Sequence, residues 1–281
     1  LVVIVSRFSV ISTASESGAT TVCRHSGCHF RRERITVGGV GANRIAVVVE
    51  SRDPLLLGDF WARMLECRLT VDSSTMRCAM DIGGNTGMRF PHTVRSHSGA
   101  NRQHIDLAAD SQDHHAQLVE RALDLGAQQA DVGQGSVPWQ VMSDPEGNEF
   151  CILEPRREYR RSGPLAAVVT HSEDPLTVGR FWSALVGAPM IRTHSEYTSV
   201  RYGGTADPAL EFVRHPNPPE GQGRLHLQLL TTDGFAPDAM EPCPVCGLPG
   251  AALTDPEQTH LCVSVDYSAA ENPWTRELSA R

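Results

Sequence analysis

The sequence predicts an α+β chain made of two similar modules in tandem, and three observations carry that prediction. Asp53-Pro54 followed by Gly58-Asp59-Phe60-Trp61 returns 121 positions later (53 to 174) as Asp174-Pro175 followed by Gly179-Arg180-Phe181-Trp182. Each copy follows a short apolar run, Ile45 to Val49 and then Leu165 to Val169. Short, partly alternating runs broken by turn residues then follow each copy, as antiparallel strands would. Self-similarity at a fixed separation marks a repeated structural unit, so each copy is read as a strand, a turn and a helix start.

Each element has a local reason. Asp53 and Asp174 are placed as N-caps, with Pro54 and Pro175 at the first helical position, where a missing N–H costs nothing. Leu57, Phe60, Trp61 and Met64 recur at helical spacing, as do Val178, Phe181, Trp182 and Leu185, so both helices turn one apolar stripe, Trp included, toward a sheet. Runs at Arg77 to Met80 and Met88 to Phe90 are separated by Gly83-Gly84 and Gly87, as in hairpins. A strand at Gln103 to Ala108 precedes a helix opened by Ser111, with Leu118, Ala122 and Leu125 on one face and Gly126 as its stop. Strands at Gln128 to Val132, Trp139 to Ser143 and Glu149 to Leu153 complete residues 44–155, the last two joined by the turn Asp144-Pro145-Glu146-Gly147-Asn148.

The second copy repeats the first half with Tyr197 to Tyr202 and Ala209 to Val213, and places Arg224-Leu225-His226-Leu227 where the first has Arg102-Gln103-His104-Ile105. Its second half is abbreviated: His104 to Asp144 spans 40 positions (104 to 144), whereas His226 to Asp255 spans 29 (226 to 255). Pro237, Pro242, Pro244 and Pro249 argue against a full helix in that stretch. The organisation expected is an N-terminal extension over 1–40 with little order, modules at 44–155 and 165–268, a linker at 156–164 and a tail at 269–281.

Composition sets broad limits. At 281 residues, 40% hydrophobic and 21% charged, the chain is long enough for two domains that each bury a core. A net charge of −8 argues against nucleic acid or an anionic membrane surface as partner, since both reward a concentrated basic face. The basic cluster Arg156-Arg157 to Arg160-Arg161 reads as a solvated linker. No apolar run approaches a membrane span, and the apolar start at Leu1 to Ile11 lacks the positive residues that open an export signal. Eight cysteines, several of them (Cys67, Cys78, Cys151, Cys262) in apolar contexts, fit a reducing, cytoplasmic setting better than a disulfide scaffold.

The order of elements, the Asp-Pro to Phe-Trp helix start, His104-Ile105-Asp106-Leu107, Leu125-Gly126-Ala127 and above all Asp144-Pro145-Glu146-Gly147-Asn148-Glu149-Phe150-Cys151 resemble the glyoxalase-like domains of the vicinal oxygen chelate superfamily. The resemblance covers residues 44–155 closely and 165–230 less so. Beyond 231 it rests on Asp255-Pro256-Glu257 and Cys262. It implies tandem glyoxalase/bleomycin-resistance/dioxygenase-like domains, each from paired βαβββ units whose mixed sheets curl into a cup. The cup often holds a divalent metal, and members include lyases, isomerases, extradiol dioxygenases and antibiotic-binding proteins without catalysis.

In metal-dependent members the resemblance places four ligands per cup. Taken copy by copy, those positions fall at Ala46, near Arg89, at His104 and at Cys151 in the first module. In the second they fall near Ala167, at Glu211, at His226 and at Cys262. A catalytic ion needs about three protein donors, and Arg89 would repel one, so no metal or other cofactor is expected and His104 reads as a strand histidine held by hydrogen bonds. If a divalent ion (zinc, iron, manganese or nickel) is present, Glu211, His226 and Cys262 are its candidate donors. A second candidate set is local: Cys243-Pro244-Val245-Cys246-Gly247 has the gap and trailing Gly of a zinc knuckle, and His260 and Cys262 share a strand face. Cys23, His25, Cys28 and His29 form a weaker cluster in the extension.

These readings favour a small-molecule-binding protein without the full metal site. A small organic ligand would be enclosed by apolar walls and a few polar groups drawn from His104, Arg89, Trp139, Cys151, Glu211, His226 and Cys262. The alternative is a metal-dependent lyase, isomerase or dioxygenase using the second cup. Either a monomer that pairs its own domains or a homodimer fits.

Overall fold

A computed structural model of the chain describes residues 2–5, 33–36, 42–72, 77–97, 99–133, 135–221, 223–231, 243–248 and 250–265. Cys23, His25, Cys28 and His29, the tail 269–281, and Pro237, Pro242 and Pro249 lie outside them. Short strands β1 (Val2–Val5) and β2 (Glu33–Thr36) pair antiparallel within the stretch read as an extension.

The first copy runs β3 (Ala42–Val49), α1 (Pro54–Met64), β4 (Leu69–Asp72), β5 (Arg77–Gly83) and β6 (Thr86–Phe90). It continues with β7 (Gln103–Leu107), α2 (Gln112–Asp124), β8 (Gln128–Gln129), β9 (Gln140–Ser143) and β10 (Glu149–Ile152). A 3₁₀ turn at Arg157–Tyr159 leads into β11 (Leu165–Ser172), α3 (Pro175–Val186), β12 (Met190–Thr193), β13 (Tyr197–Arg201) and β14 (Ala209–Arg214). The chain closes with β15 (Leu225–Thr231), β16 (Ala251–Thr254) and β17 (His260–Val265). Strands β4 and β12, too short and mixed to register in the hydrophobic pattern, are additions to the sequence reading.

The helix starts obey their local chemistry. The Asp53 and Asp174 carboxylates accept the backbone N–H of Leu56 and Thr177, and Ser111 Oγ accepts that of His114. Trp61 and Trp182 are each about 1% exposed, which makes them core residues.

The sheets exchange halves between the copies. One sheet, in the order β16-β17-β15-β3-β6-β5-β4, joins the first half of copy one to the second half of copy two. The other, β12-β13-β14-β11-β7-β10-β9-β8, joins the first half of copy two to the second half of copy one. The joints are antiparallel pairs of equivalent strands, β3 with β15 (Val48 opposite His226) and β11 with β7 (Val169 opposite His104). Grouping the candidate ligands copy by copy is therefore corrected: Ala46, Arg89, His226 and Cys262 share one sheet, and Ala167, Glu211, His104 and Cys151 share the other. Local pattern specifies strands; only tertiary pairing specifies neighbours.

Alternation along the strands divides each sheet between two environments. Leu227, Leu229, Leu261 and Val47 face the main core with the helices, as do Ile105, Phe150, Leu210 and Phe212. The intervening residues turn to the opposite, helix-free face, where smaller apolar clusters form around Val48 and Leu248 on the first sheet and around Val141, Leu153 and Ala166 on the second. The candidate polar residues all lie on those faces.

Candidate functional site

On the helix-free face of the second sheet, His104 and Asp106, two apart on β7, stand beside Cys151 on β10, and their donor atoms lie within 4.8 Å of one another. His104 Nε2 is 3.2 Å from Asp106 Oδ1. Burial, then the neighbouring Asp106, pushes the Cys151 thiol up well beyond its ordinary range. Glu211, on β14 of the same sheet, accepts the Tyr159 hydroxyl at 2.8 Å and Ser199 Oγ at 3.0 Å, with Arg192 Nη1 at 3.5 Å. Burial raises its carboxyl above the usual range, opposed by the Tyr159 and Ser199 hydrogen bonds. The Arg156 guanidinium, paired with Glu154, lies 5.5 Å over the Trp139 ring. Of the basic linker, Arg157, Arg160 and Arg161 are exposed, as a solvated segment would be, whereas Arg156 packs over Trp139 and Tyr159 is buried.

The first sheet carries a different chemistry. His226 on β15, Cys262 on β17, and Cys243 and Cys246 on the 243–248 turn are all buried, and their ligand atoms lie within 4.8 Å of one another. Cys262 Sγ is 3.5 Å from His226 Nε2, and Cys243 Sγ is 3.2 Å from His260 Nε2. The turn is closed by Gly247 N–H to Cys243 O (2.8 Å) and Cys243 N–H to Leu248 O (2.7 Å), with Gly247 at φ 65, in the left-handed region that favours glycine. Arg77 Nη2 donates to Gly247 O and ties the turn to β5. Hydrogen bonds from Cys246 and Cys262 pull the Cys243 thiol far down, while Cys246 is pushed up to about 12, first by its bond to Cys243. Burial, then the neighbouring His260, lowers His226 to about 3, so its imidazole is neutral. Arg89, on the same face, donates to Gln228, whose amide donates to Ser264.

Residues 46–153 match the family model described as a glyoxalase-like domain. Glyoxalase I from Zea mays is similar in structure, at a TM-score of 0.53 and 15% identity over 79% of this chain and 91% of that one. A mutant of the same maize enzyme gives a TM-score of 0.58 at 13% identity over 80% and 94%. A putative dioxygenase from Bacillus subtilis subsp. subtilis str. 168 gives 0.52 at 12% over 83% and 87%. Residues 46–153 are a glyoxalase-like domain, as their resemblance to the vicinal oxygen chelate superfamily implied. Among curated proteins no match is found.

The metal positions of that superfamily can now be tested sheet by sheet. On the second sheet the opening position is Ala167, which has no donor, and Glu211 is engaged by Tyr159 and Ser199. The family's four-ligand set does not fit there. On the first sheet Ala46 and Arg89 supply nothing a cation can use, but His226 and Cys262 remain and the turn adds two thiols, a set suited to a soft ion. Glu211 and His226, considered together from the sequence, lie in different sheets. Of the local set Cys243, Cys246, His260 and Cys262, the structure groups the three thiols with His226 and puts His260 against Cys243.

Sequence reasoning passed over Asp106, Tyr159, Arg192 and Ser199. Asp106 was accessible to it, since a residue two beyond His104 on a strand shares its face. The other three reach the face from a linker and from strands whose neighbours only the tertiary fold sets.

Among the described residues no helix is long and apolar enough to cross a membrane.

Proposed function

We propose that this glyoxalase-like protein binds a small organic molecule on the helix-free face of the second sheet. The observation that carries the reading is the convergence of His104, Asp106 and Cys151 donor atoms within 4.8 Å on a face walled by Val141, Leu153 and Ala166. A few polar groups aimed into an apolar wall fix a ligand's head while the wall takes its body. Arg156 over Trp139 at the rim adds a cation and an aromatic plane.

The test is a thermal-shift screen against carbonyl- and ring-bearing metabolites, with hits titrated by calorimetry against wild type, His104→Ala and Asp106→Asn. The expected result is one saturable site weakened about tenfold or more in each variant, the loss of one hydrogen bond to a charged or buried group. Unchanged affinity in both variants would place the ligand elsewhere and defeat the reading.

The same three-residue grouping supports a second reading. Three donors with an open fourth position is the arrangement of a catalytic ion, so a metal-dependent lyase, isomerase or dioxygenase on this face is the alternative. It requires a stoichiometric ion lost in both His104→Ala and Asp106→Ala, together with turnover of a bound compound.

A further inference from the structure

The turn at 243–248 is held to the first sheet by very little apolar surface. Its cluster contains Val48 and Leu248, with the three thiols of Cys243, Cys246 and Cys262 making up the rest of its buried members. Thiols pack as small hydrophobes, but that account leaves unexplained why two imidazoles are buried with nitrogens aimed at the sulfurs, His226 Nε2 at Cys262 and His260 Nε2 at Cys243. A Cys243–Cys246 disulfide would use two of the sulfurs and leave the third and both imidazoles without a role.

We propose that Cys243, Cys246, Cys262 and His226 hold one zinc ion in a closed tetrahedral site that pins the 243–248 turn onto the first sheet. A zinc tetrahedron with Zn–S bonds of about 2.3 Å has sulfur–sulfur edges of about 3.8 Å. With a Zn–N bond of about 2.0–2.1 Å the sulfur–nitrogen edge is about 3.6 Å; the Cys262 Sγ to His226 Nε2 distance of 3.5 Å already matches it, and the remaining pairs, all within 4.8 Å, close by small side-chain rotations. The turn has the internal bonding of a metal knuckle: the N–H of Cys246 is directed at Cys243 sulfur and that of Leu248 at Cys246 sulfur, with Gly247 left-handed between them. Backbone donors aimed at sulfur stabilise thiolates, the form that binds metal.

His260 acts from outside the tetrahedron, its Nε2 3.2 Å from Cys243 Sγ, where outer groups stand around metal ligands. His226 also lines a cavity of about 20 Å³, shared with Gln103, Val245, Thr259 and His260, room for one water. Gln103 Oε1, Thr259 Oγ1 and His226 Nδ1, all on its lining residues, have no hydrogen-bond partner among the described residues. A water there would orient His226 through Nδ1 and leave Nε2 for the ion. Four protein donors leave no open position, so this ion is structural and polarises no substrate. It is thereby distinct from the ion that the second reading above would place on the other sheet.

The experiment uses the full chain purified under reducing conditions. Elemental analysis should find one zinc per chain, and X-ray absorption should find three sulfurs and one nitrogen around it. Cobalt substitution should give thiolate charge-transfer absorption and intense tetrahedral visible bands. Cys246→Ser and His226→Ala should lose the ion or bind it at least about a hundredfold more weakly. His260→Ala should keep one equivalent at about 10–100-fold lower affinity, the usual effect of an outer partner. Asp106→Ala and Cys67→Ser should bind zinc as wild type does. Should Cys246→Ser fail to fold, the wild-type absorption spectrum still decides. Less than half an equivalent after anaerobic reconstitution, fewer than three sulfurs in the shell, or full retention by Cys246→Ser would overturn the site.

Discussion

Arg224, from the second copy, donates through Nη1 to Glu146 Oε2 in the Asp144–Asn148 turn of the first copy, and the pair is almost completely buried. The same Glu146 carboxylate accepts Ser51 Oγ and the backbone N–H groups of Arg52 and Asp53, so it fastens the start of α1 to the end of β9. Copy two repeats the clasp: Glu257 accepts Ser172 Oγ, the N–H groups of Glu173 and Asp174, and Arg102. Duplicated motif residues, noticed first as a sequence repeat, thus lock the two copies to each other. Glu146→Ala leaves Arg224 buried without its counter-charge, a loss of about 3–5 kcal/mol. The Arg102–Glu257 pair is more exposed, 15% for each side chain against 5% and 9%, so Glu257→Ala should cost less. Urea unfolding of the two variants checks both the size and the order.

Glu146 also sets a pH dependence. Its burial would raise the carboxyl, but hydrogen bonds from Ser51, Asp53, Arg52 and Arg224 outweigh it and hold the group below its ordinary 4.5. A carboxyl depressed in the folded state contributes stability that is present above the unfolded value and lost as pH falls through the folded one. The stability gap between wild type and Glu146→Gln should therefore be full at neutral pH and shrink below about pH 4.5, followed by denaturant midpoints across that range. A gap that grows on acidification would contradict the assignment.

The repeated glycine of the helix start is a spacing device, and it is not equally strict in the two copies. A Cβ on Gly179 of α3 would lie 2.3 Å from Thr198 Cγ2 and 3.0 Å from Thr198 Cβ. On Gly58 of α1 the nearest atom is the flexible end of Leu69, at 3.0 Å. Thr is stiff at χ1, so it cannot swing away, whereas the Leu69 tip can rotate and Cys78 Cβ, at 3.2 Å, need give only a few tenths of an ångström. Alanine in either helix gains up to about 1 kcal/mol in propensity against an overpacking cost of about 1–3 kcal/mol. Gly179→Ala should therefore be clearly destabilising and Gly58→Ala less so, as thermal melts would show.

Most of the fold was legible because its determinants are local. The Asp-Pro caps, the helical spacing of Phe60 and Trp61, Ser111 before α2 and the Asp144–Asn148 turn each specify a piece of backbone from a few neighbouring residues. The site was legible only residue by residue. His104, Cys151, Glu211, His226 and Cys262 were each found, yet which of them meet depends on β15 pairing with β3 and β11 with β7, contacts between residues far apart in the chain. The Cys-Pro-Val-Cys turn illustrates the same divide: the sequence shows its knuckle spacing, and only the sheet order shows that His226 stands over it.

Glu211 responds to pH in the opposite sense to Glu146, because its environment is dominated by burial. The carboxyl is raised above 4.5 first by desolvation, with the Tyr159 and Ser199 hydrogen bonds pulling it back and Asp106 adding repulsion. A group raised in the folded state contributes stability that is fully present below its unfolded value and is lost as pH rises through the folded one. Glu211→Gln keeps an oxygen to accept the Tyr159 hydroxyl and Ser199 Oγ, and it removes the buried charge. It gives up only the 3.5 Å contact with Arg192, a partly exposed partner. The variant should thus gain on wild type as pH rises above about 4.5, the reverse of the Glu146→Gln series, in the same denaturant assay. Tyr159→Phe should move the other way: without its strongest donor the Glu211 carboxyl rises further, and wild type should exceed the variant most at neutral and higher pH, where the charge must be carried. A flat difference for both variants between pH 4 and 8 (roughly the window above the ordinary carboxylate value, where a raised carboxyl titrates) would show that this carboxylate is not held by the linker tyrosine.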